Sequence, residues 1–205
     1  SAVPDPNLID VFRIKYDYHN AKVLIKAAAR GAEPGPLLLG GGRYDPEALL
    51  DAYRRDDLRD VSEPFRQAMA STGDPQLCDL ILDRACYEEL TLAAQASGSE
   101  FIQGYVKLLI DAVNLRSAVR CARLGKEADF LSRALLPGGN VETGALAAAR
   151  GEELGELFRS GLLAEAAQAG AAVSAPGSGP LTEFEKLCDD AVTAYLAAAR
   201  RIPFG

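Results

Sequence analysis

Apolar residues recur three and four apart in two long stretches of the chain. In residues 105–125, YVKLLIDAVNLRSAVRCARLG, the apolar stripe is Tyr105, Leu108, Leu109, Ala112, Leu115 and Val119, with Asp111 and Asn114 set inside it. That spacing predicts a helix with a buried face, capped by Ser99 upstream and stopped by Gly125 in a left-handed turn. In residues 12–31, FRIKYDYHNAKVLIKAAARG, the stripe Ile9, Phe12, Tyr16, His19/Asn20, Val23 and Ala27 predicts a second such helix over about 8–29, with Asn7 as a cap. A shift of 94 positions lays one stretch on the other. Arg13 then meets Lys107, Asp17 meets Asp111, Asn20 meets Asn114, Lys22 meets Arg116, Lys26 meets Arg120 and Gly31 meets Gly125. Register shared at so many polar and glycine positions marks an internal repeat, one supersecondary unit used more than once.

The segments between follow the same plan. Asp45-Pro46 and Ser62-Glu63-Pro64 start short helices to about Arg55 and Ala70. Asp74 is expected to cap a long helix over 76–96, and the short 97–99 break makes it a neighbour of the next helix. After Gly125, a shift of 97 lays Gly139 on Gly42, Glu142 on Asp45 and Leu146 on Leu49, so three residues have entered the connection. Short helices are predicted near 127–135, 145–149, 152–159 and 162–168. Residues 170–180, GAAVSAPGSGP, have little side chain to bury and read as a mobile loop or linker. Thr182 and Glu185 form a capping box that starts a last helix to about Arg200. Leu-Cys-Asp occurs at 77–79 and again at 187–189, one echo in each long second helix. The expected organisation is an incomplete first sector over 1–73, a second over 74–170, a linker over 171–180 and the start of a third over 181–205. That order implies a fragment of a longer protein, cut inside one repeat at each end.

Composition agrees with an all-α fold. Alanine is abundant while Val, Ile and Thr are sparse, which favours helix over strand. A chain of 205 residues buries about 70% of its unfolded surface without a staple. The net charge of −7 argues against a nucleic-acid or anionic-membrane surface. Cys78, Cys86, Cys121 and Cys188 form no C-x-x-C pair and read as small core residues. No signal-peptide pattern opens the chain, and no run of 18 apolar residues could span a membrane.

Little in the sequence carries chemistry. Gly40-Gly41-Gly42 lacks the Lys and hydroxyl of a phosphate-binding loop, because Arg43-Tyr44 follows. Arg13 with Asp17 and Lys107 with Asp111 stand at i, i+4, where a pair on an exposed helix is worth about 0.3–0.5 kcal/mol. Asn20 and Asn114 lie three residues further on and belong to the same polar network. A network repeated inside helical units reads as packing register, and neither copy offers the nucleophile that an acid–base site needs. His19 is a single histidine, too few for a histidine metal site. The residues give an all-helical repeat protein with no active site, no metal and no cofactor.

FRIKYDYHNAKVLIKA and YVKLLIDAVNLRSAVRCARLGK resemble the C subunit of V-type and archaeal-type rotary ATPases, called the d subunit in eukaryotic complexes. That family has the pattern aromatic-x-x-x-x-Asp-x-x-Asn-x-(Lys/Arg) in three similar helical sectors. In this chain it falls on Arg13, Asp17, Asn20 and Lys22 and on Lys107, Asp111, Asn114 and Arg116. RRIPFG at 200–205 is similar to the family's approach to its third sector. The resemblance implies a funnel-like, pseudo-threefold whole on the cytoplasmic face of a membrane. Its partners are the central stalk and the proteolipid ring, between which it transmits torque without catalysing anything. The competing readings are a helical-repeat scaffold for an unrelated protein partner, and an enzyme with a deep pocket lined by Asp17 or Asp111. The cut apolar surfaces of a fragment imply self-association.

Overall fold

The computed structural model of the protein describes residues 6–74 and 77–199, with side chains from residue 9 onward. Every regular element among them is helical. Two compact units divide the chain, Ser1–Ile102 and Gln103–Gly205.

In the first unit, α1 (Pro6–Arg30) is the spine. It ends as expected in a left-handed glycine: Gly31 has φ 64°, and the Ala32 amide reaches back to the Ala27 carbonyl. A single 3₁₀ turn (Gly35–Leu37) and an irregular stretch lead to α2 (Pro46–Arg54) and α3 (Glu63–Ala70). Their starts obey the sequence: the Ala48 amide donates to Asp45 Oδ2 at 3.0 Å and the Phe65 amide to Ser62 Oγ at 3.4 Å. Then α4 (Cys78–Ala96) packs lengthwise on α1. Ile14, Tyr18, Leu24, Leu82, Cys86 and Leu90 are buried in this unit, with Phe65 of α3 set edge-on to Tyr18 at 5.2 Å between centroids. The helix starts at Cys78, with Leu77 before it, and Leu77 makes no side-chain cap. The start expected after Asp74 falls on Pro75 and Gln76, which lie outside the described residues. Asn7, expected as the α1 cap, stands inside that helix and its side chain is also outside the description.

The next helix, α5 (Glu100–Arg123), begins at the end of the first unit and becomes the spine of the second. Ser99 caps it, accepting from the Ile102 amide at 3.3 Å. Gly125 repeats Gly31, with φ 63° and the Lys126 amide bonded to the Cys121 carbonyl. Then come α6 (Ala128–Ala134), α7 (Thr143–Ala148), α8 (Glu152–Leu157), α9 (Ala164–Ala172) and α10 (Thr182–Ala199). One core joins Leu115 and Val119 of α5 to Leu131, Leu146, Leu154, Phe158, Ala167, Phe184 and Cys188.

Two expectations fail in this unit for physical reasons. The loop expected from 170 begins later, because α9 runs on to Ala172. Gly170 stands inside that helix at a point where a Cβ would press into the Phe184 ring and the Val119 methyl. The rest of the stretch is tied down: one Arg123 Nη donates to the Val173 carbonyl at 3.0 Å and to the Gly179 carbonyl at 2.6 Å. The capping box at Thr182 also does not form. Helix α10 begins at Thr182 itself, and the Glu185 carboxylate turns to Arg116 and Arg120. The charged donors on α5 take the carboxylate, and the Glu185 amide donates to the Leu181 carbonyl at 2.9 Å and not to the Thr182 hydroxyl.

The units explain the tandem pattern. A tandem repeat has no preferred cut. The expected sector boundary at 73/74 falls before α4, and the compact units divide after it. Each compact unit thus holds one Asp-x-x-Asn spine and, last in order, the helix carrying Leu-Cys-Asp.

The cysteines sit in these cores. Burial pushes the Cys86 thiol up to about 12 and the Cys188 thiol up to about 11, and raises Cys78 and Cys121 as well. Native protein at pH 8 should therefore resist alkylation at Cys86 and Cys188, and react there once unfolded. A thiol that holds its proton more tightly when folded stabilises the fold fully below its unfolded value of 9.0, and that contribution is lost as pH rises toward about 12. Mass-spectrometric counting of alkylated thiols, with and without denaturant, checks the expectation.

Candidate functional site

The polar positions that the two stretches share build the same object twice. Asp and Asn three residues apart lie on one face of a helix. In each unit that face receives the irregular chain that follows the spine.

Asn is both donor and acceptor, so it can pair with one residue's backbone at two points. Asn20 Nδ2 donates to the Leu39 carbonyl at 2.8 Å, and the Leu39 amide donates to Asn20 Oδ1 at 2.8 Å. Asn114 does the same with Leu136, both bonds at 2.8 Å. Aspartate only accepts, and it collects amides further along. The Arg43 and Tyr44 amides donate to Asp17 Oδ1 at 2.9 and 3.4 Å. The Val141 and Asn140 amides donate to Asp111 Oδ1 and Oδ2, both at 3.1 Å. The spine positions correspond at the 94-residue shift and the loop positions at 97. Gly42 and Gly139 correspond too, and in each a Cβ would overlap the Asp17 or Asp111 carboxylate. The preceding Gly41 and Gly138 have φ 97° and 101°, the same turn in both units. Asp17, Asn20, Asp111 and Asn114 are all buried.

The two clasps differ in one side chain. At Asn140 the second unit closes the site with a neutral bond, Asn140 Nδ2 to Asp111 Oδ2 at 2.9 Å. At the same position the first unit has Arg43, whose Nε donates to Asp17 Oδ2 at 2.7 Å while Nη1 reaches Glu89 Oε1 on α4 at 2.5 Å. The Tyr18 hydroxyl donates to Glu89 Oε2 at 2.7 Å. The first clasp is therefore a buried charged network across α1, the loop and α4. Burial opposes ionisation of Glu89, but the Arg43 and Tyr18 hydrogen bonds outweigh it and hold the carboxyl below its ordinary range. Burial dominates at Asp17 and pushes its carboxyl up, against the pull of Arg43 and the two amides. Burial and the Glu89 bond also raise Tyr18, and Glu89 and Asp17 together keep Arg43 charged against its desolvation.

The remaining repeat residues divide cleanly. Lys22 and Lys26 bridge to Asp83 and Asp79 of α4 at 2.5 and 2.8 Å. Arg116 bridges to Glu185 and Asp189 of α10 at 3.1 and 2.5 Å, and Arg120 to Glu185 at 2.5 Å. These pairs are partly exposed, so each contributes little, on the order of 0–1 kcal/mol. Their arithmetic is informative. A shift of 106 carries Asp79 and Asp83 onto Glu185 and Asp189, so the Leu-Cys-Asp echo, at 110, stands one helical turn out of structural register. The i, i+4 pairs are not formed. Asp17 and Asp111 bond to loop amides and to Arg43 or Asn140. Arg13 and Lys107 are exposed, with no hydrogen bond or ion pair among the described residues. A buried carboxylate gains more from fixed amides than from a cation on a mobile stem.

Sequence reasoning missed Arg43, Tyr18 and Glu89. A signal was present, because Arg43 and Asn140 follow equivalent glycines and both are polar. Chemically, the arrangement holds chain in place. The Asp111 carboxylate borders a cavity of about 280 Å³ with Asn140, Phe158 and Ser160, but its oxygens already take three N–H donors. Among the described residues no group of three His, Cys, Asp or Glu is placed to hold a metal ion. None of their helices is long and apolar enough to cross a membrane. Asp111→Ala should strand those donors and cost about 1–3 kcal/mol; a urea midpoint equal to the parent's would refute the clasp.

What the fold and the paired clasps define is an all-helical tandem-repeat protein whose shared Asp and Asn residues bond the chain that follows each spine. The chain belongs to the ATP synthase (C/AC39) subunit family, whose sequence model matches residues 1–205. It is 24% identical over 213 residues to the C subunit of the V-type sodium ATPase of Enterococcus hirae, an alignment covering all of this chain and 64% of that protein. It is 24% identical over 127 residues to the C subunit of the V-type ATP synthase of Thermus thermophilus, covering 57% of this chain and 39% of that one. The chain thus spans less than two thirds of the length of these relatives. No solved structure matches it.

Proposed function

We propose that the chain is part of a non-catalytic coupling subunit of a V/A-type rotary ATPase. In this reading the parent protein sits peripherally on the cytoplasmic face of the membrane. It joins the central stalk to the proteolipid ring during ATP-driven proton or sodium transport, or ATP synthesis. The observation that carries the reading is the family match over the whole chain, strengthened by the clasp built twice in one register. Of the eight repeat residues, Asp17, Asn20, Lys22, Asp111, Asn114 and Arg116 are then structural, while Arg13 and Lys107 face outward. A part that passes torque between two partners needs a body that does not shear. Two-point bonds to the loop at Asn20 and Asn114 resist sliding of loop against spine. In the full-length parent, further sectors after those over 1–73 and 74–170, joined through 171–180, would complete a socket around an axis.

The test is purification of the rotary complex from the parent's own cells through a tagged stalk protein. The full-length protein is expected to co-purify with both stalk and ring components. Recovery of an intact, coupled complex that lacks it would overturn the reading and favour a scaffold for an unrelated partner.

A further inference from the structure

The two spines differ on one face. Phe12 and Tyr16 stand one turn apart on α1 and are 42% and 44% exposed, and Leu39, whose backbone is held by Asn20 one turn further along, is 44% exposed. Their counterparts in the second unit are Val106, Ile110 and Leu136, at 2%, 1% and 4%. Lys15 is exposed where its counterpart, Leu109, is buried. At this face the repeat changes chemistry. Val106, Ile110 and Leu109, aliphatic and buried, correspond to Phe12, Tyr16 and Lys15, aromatic or cationic and exposed, while the leucine pair changes only in exposure. Large aromatics ringed by polar groups are the composition of a contact surface, and aliphatics that of a permanent core.

The charge is placed to match. At 3.6 residues per turn, Arg13 lies about 100° to one side of Phe12 and Lys15 about 60° to the other. The Phe12–Tyr16 ridge thus runs between two cations. Neither Arg13 nor Lys15 makes an ion pair or hydrogen bond among the described residues, although the chain has 29 acids to 22 bases. In so acidic a chain, cations left without intramolecular acids on both sides of an apolar ridge are available to acids from outside.

We propose that this face of α1 docks an acidic amphipathic helix of a partner protein. The partner's apolar side chains lie on Phe12, Tyr16 and Leu39, and its carboxylates reach Arg13 and Lys15. Desolvating the ridge supplies affinity, while the flanking charges set orientation and partner choice. The proposal stands independently of the rotary reading, since it uses only the contrast between the two copies.

The test uses the 205-residue chain and a synthetic helical peptide of glutamate and leucine, with a lysine–leucine peptide of the same pattern as control, read by fluorescence anisotropy. The acidic peptide is expected to bind, at least tenfold more tightly than the basic one, and to weaken as salt rises. Arg13→Glu/Lys15→Glu and, separately, Tyr16→Ala should each lose about tenfold in affinity with unchanged melting temperatures, since all three residues are exposed. Failure of the acidic peptide to bind, or equal binding to the double variant, overturns the proposal. So does sedimentation with phosphatidylcholine–phosphatidylserine vesicles that Tyr16→Ala abolishes, which would make the face a lipid contact. A concentration-dependent dimer lost in Tyr16→Ala would make the occupant a second copy, and also overturns it.

Discussion

Gly42→Ala and Gly139→Ala should each destabilise the chain by about 3 kcal/mol, the upper part of the range for forcing atoms into a filled site. At both positions the new Cβ would fall on a carboxylate oxygen of Asp17 or Asp111. That oxygen cannot retreat without giving up loop amides, so overpacking and lost hydrogen bonds add. The same change at Gly73 or Gly144, where a Cβ meets nothing within 4 Å, is the control and should move the midpoint by less than about 0.5 kcal/mol. Chemical denaturation of the four variants decides the matter. A Gly139→Ala midpoint matching that of Gly144→Ala would mean the clasp has slack that the geometry denies.

Arg43→Ala should cost more, about 3–5 kcal/mol, because it leaves two buried carboxylates, Asp17 and Glu89, without their cation. The equivalent Asn140→Ala removes one neutral bond and should cost about 1 kcal/mol. The asymmetry is the informative result, since the two sites share backbone geometry and differ in charge. Acid should narrow the Arg43→Ala deficit. With the cation gone, the folded state holds both carboxyls protonated more readily than the unfolded chain does, so lowering the pH favours it. Replacing Arg43 and Glu89 together by apolar residues should recover part of the loss, because no charge is then stranded between loop and α4. A deficit independent of pH would show that packing of the arginine stem, and not its charge, is what the fold needs.

Much of this was legible in the sequence, for local reasons. Asp45, Ser62 and Ser99 cap as read, because an N-cap is satisfied within three residues of itself. Gly31 and Gly125 stop their helices for an equally local reason. The repeat was legible through Asp17/Asp111 and Asn20/Asn114, but their partners were not. Leu39, Arg43, Leu136 and Asn140 lie about twenty to thirty residues away, and a backbone partner has no side-chain identity to read. The basic residue four positions back, on the same helix face, was therefore the expected partner, and it is the wrong one. The Leu-Cys-Asp echo misled by one turn because residues four apart share a helix face, so a displaced match preserves the buried pattern. Thr182 had the right residues for a capping box, but Arg116 and Arg120 make a better bid for Glu185.

The clasps also fix where this lineage can change its length. Between the stop glycine and the asparagine-held leucine neither clasp holds the chain, so its length is free to differ. There the first unit makes a single 3₁₀ turn, Gly35–Leu37, and the second, three residues longer, makes the two-turn helix α6. From Leu39 to Tyr44 and from Leu136 to Val141 no such freedom exists. Each segment is held at both ends to one face of a helix, and a single added residue would put an amide where a carboxylate needs none. Insertions and deletions among natural relatives should accordingly crowd into the first interval and spare the second.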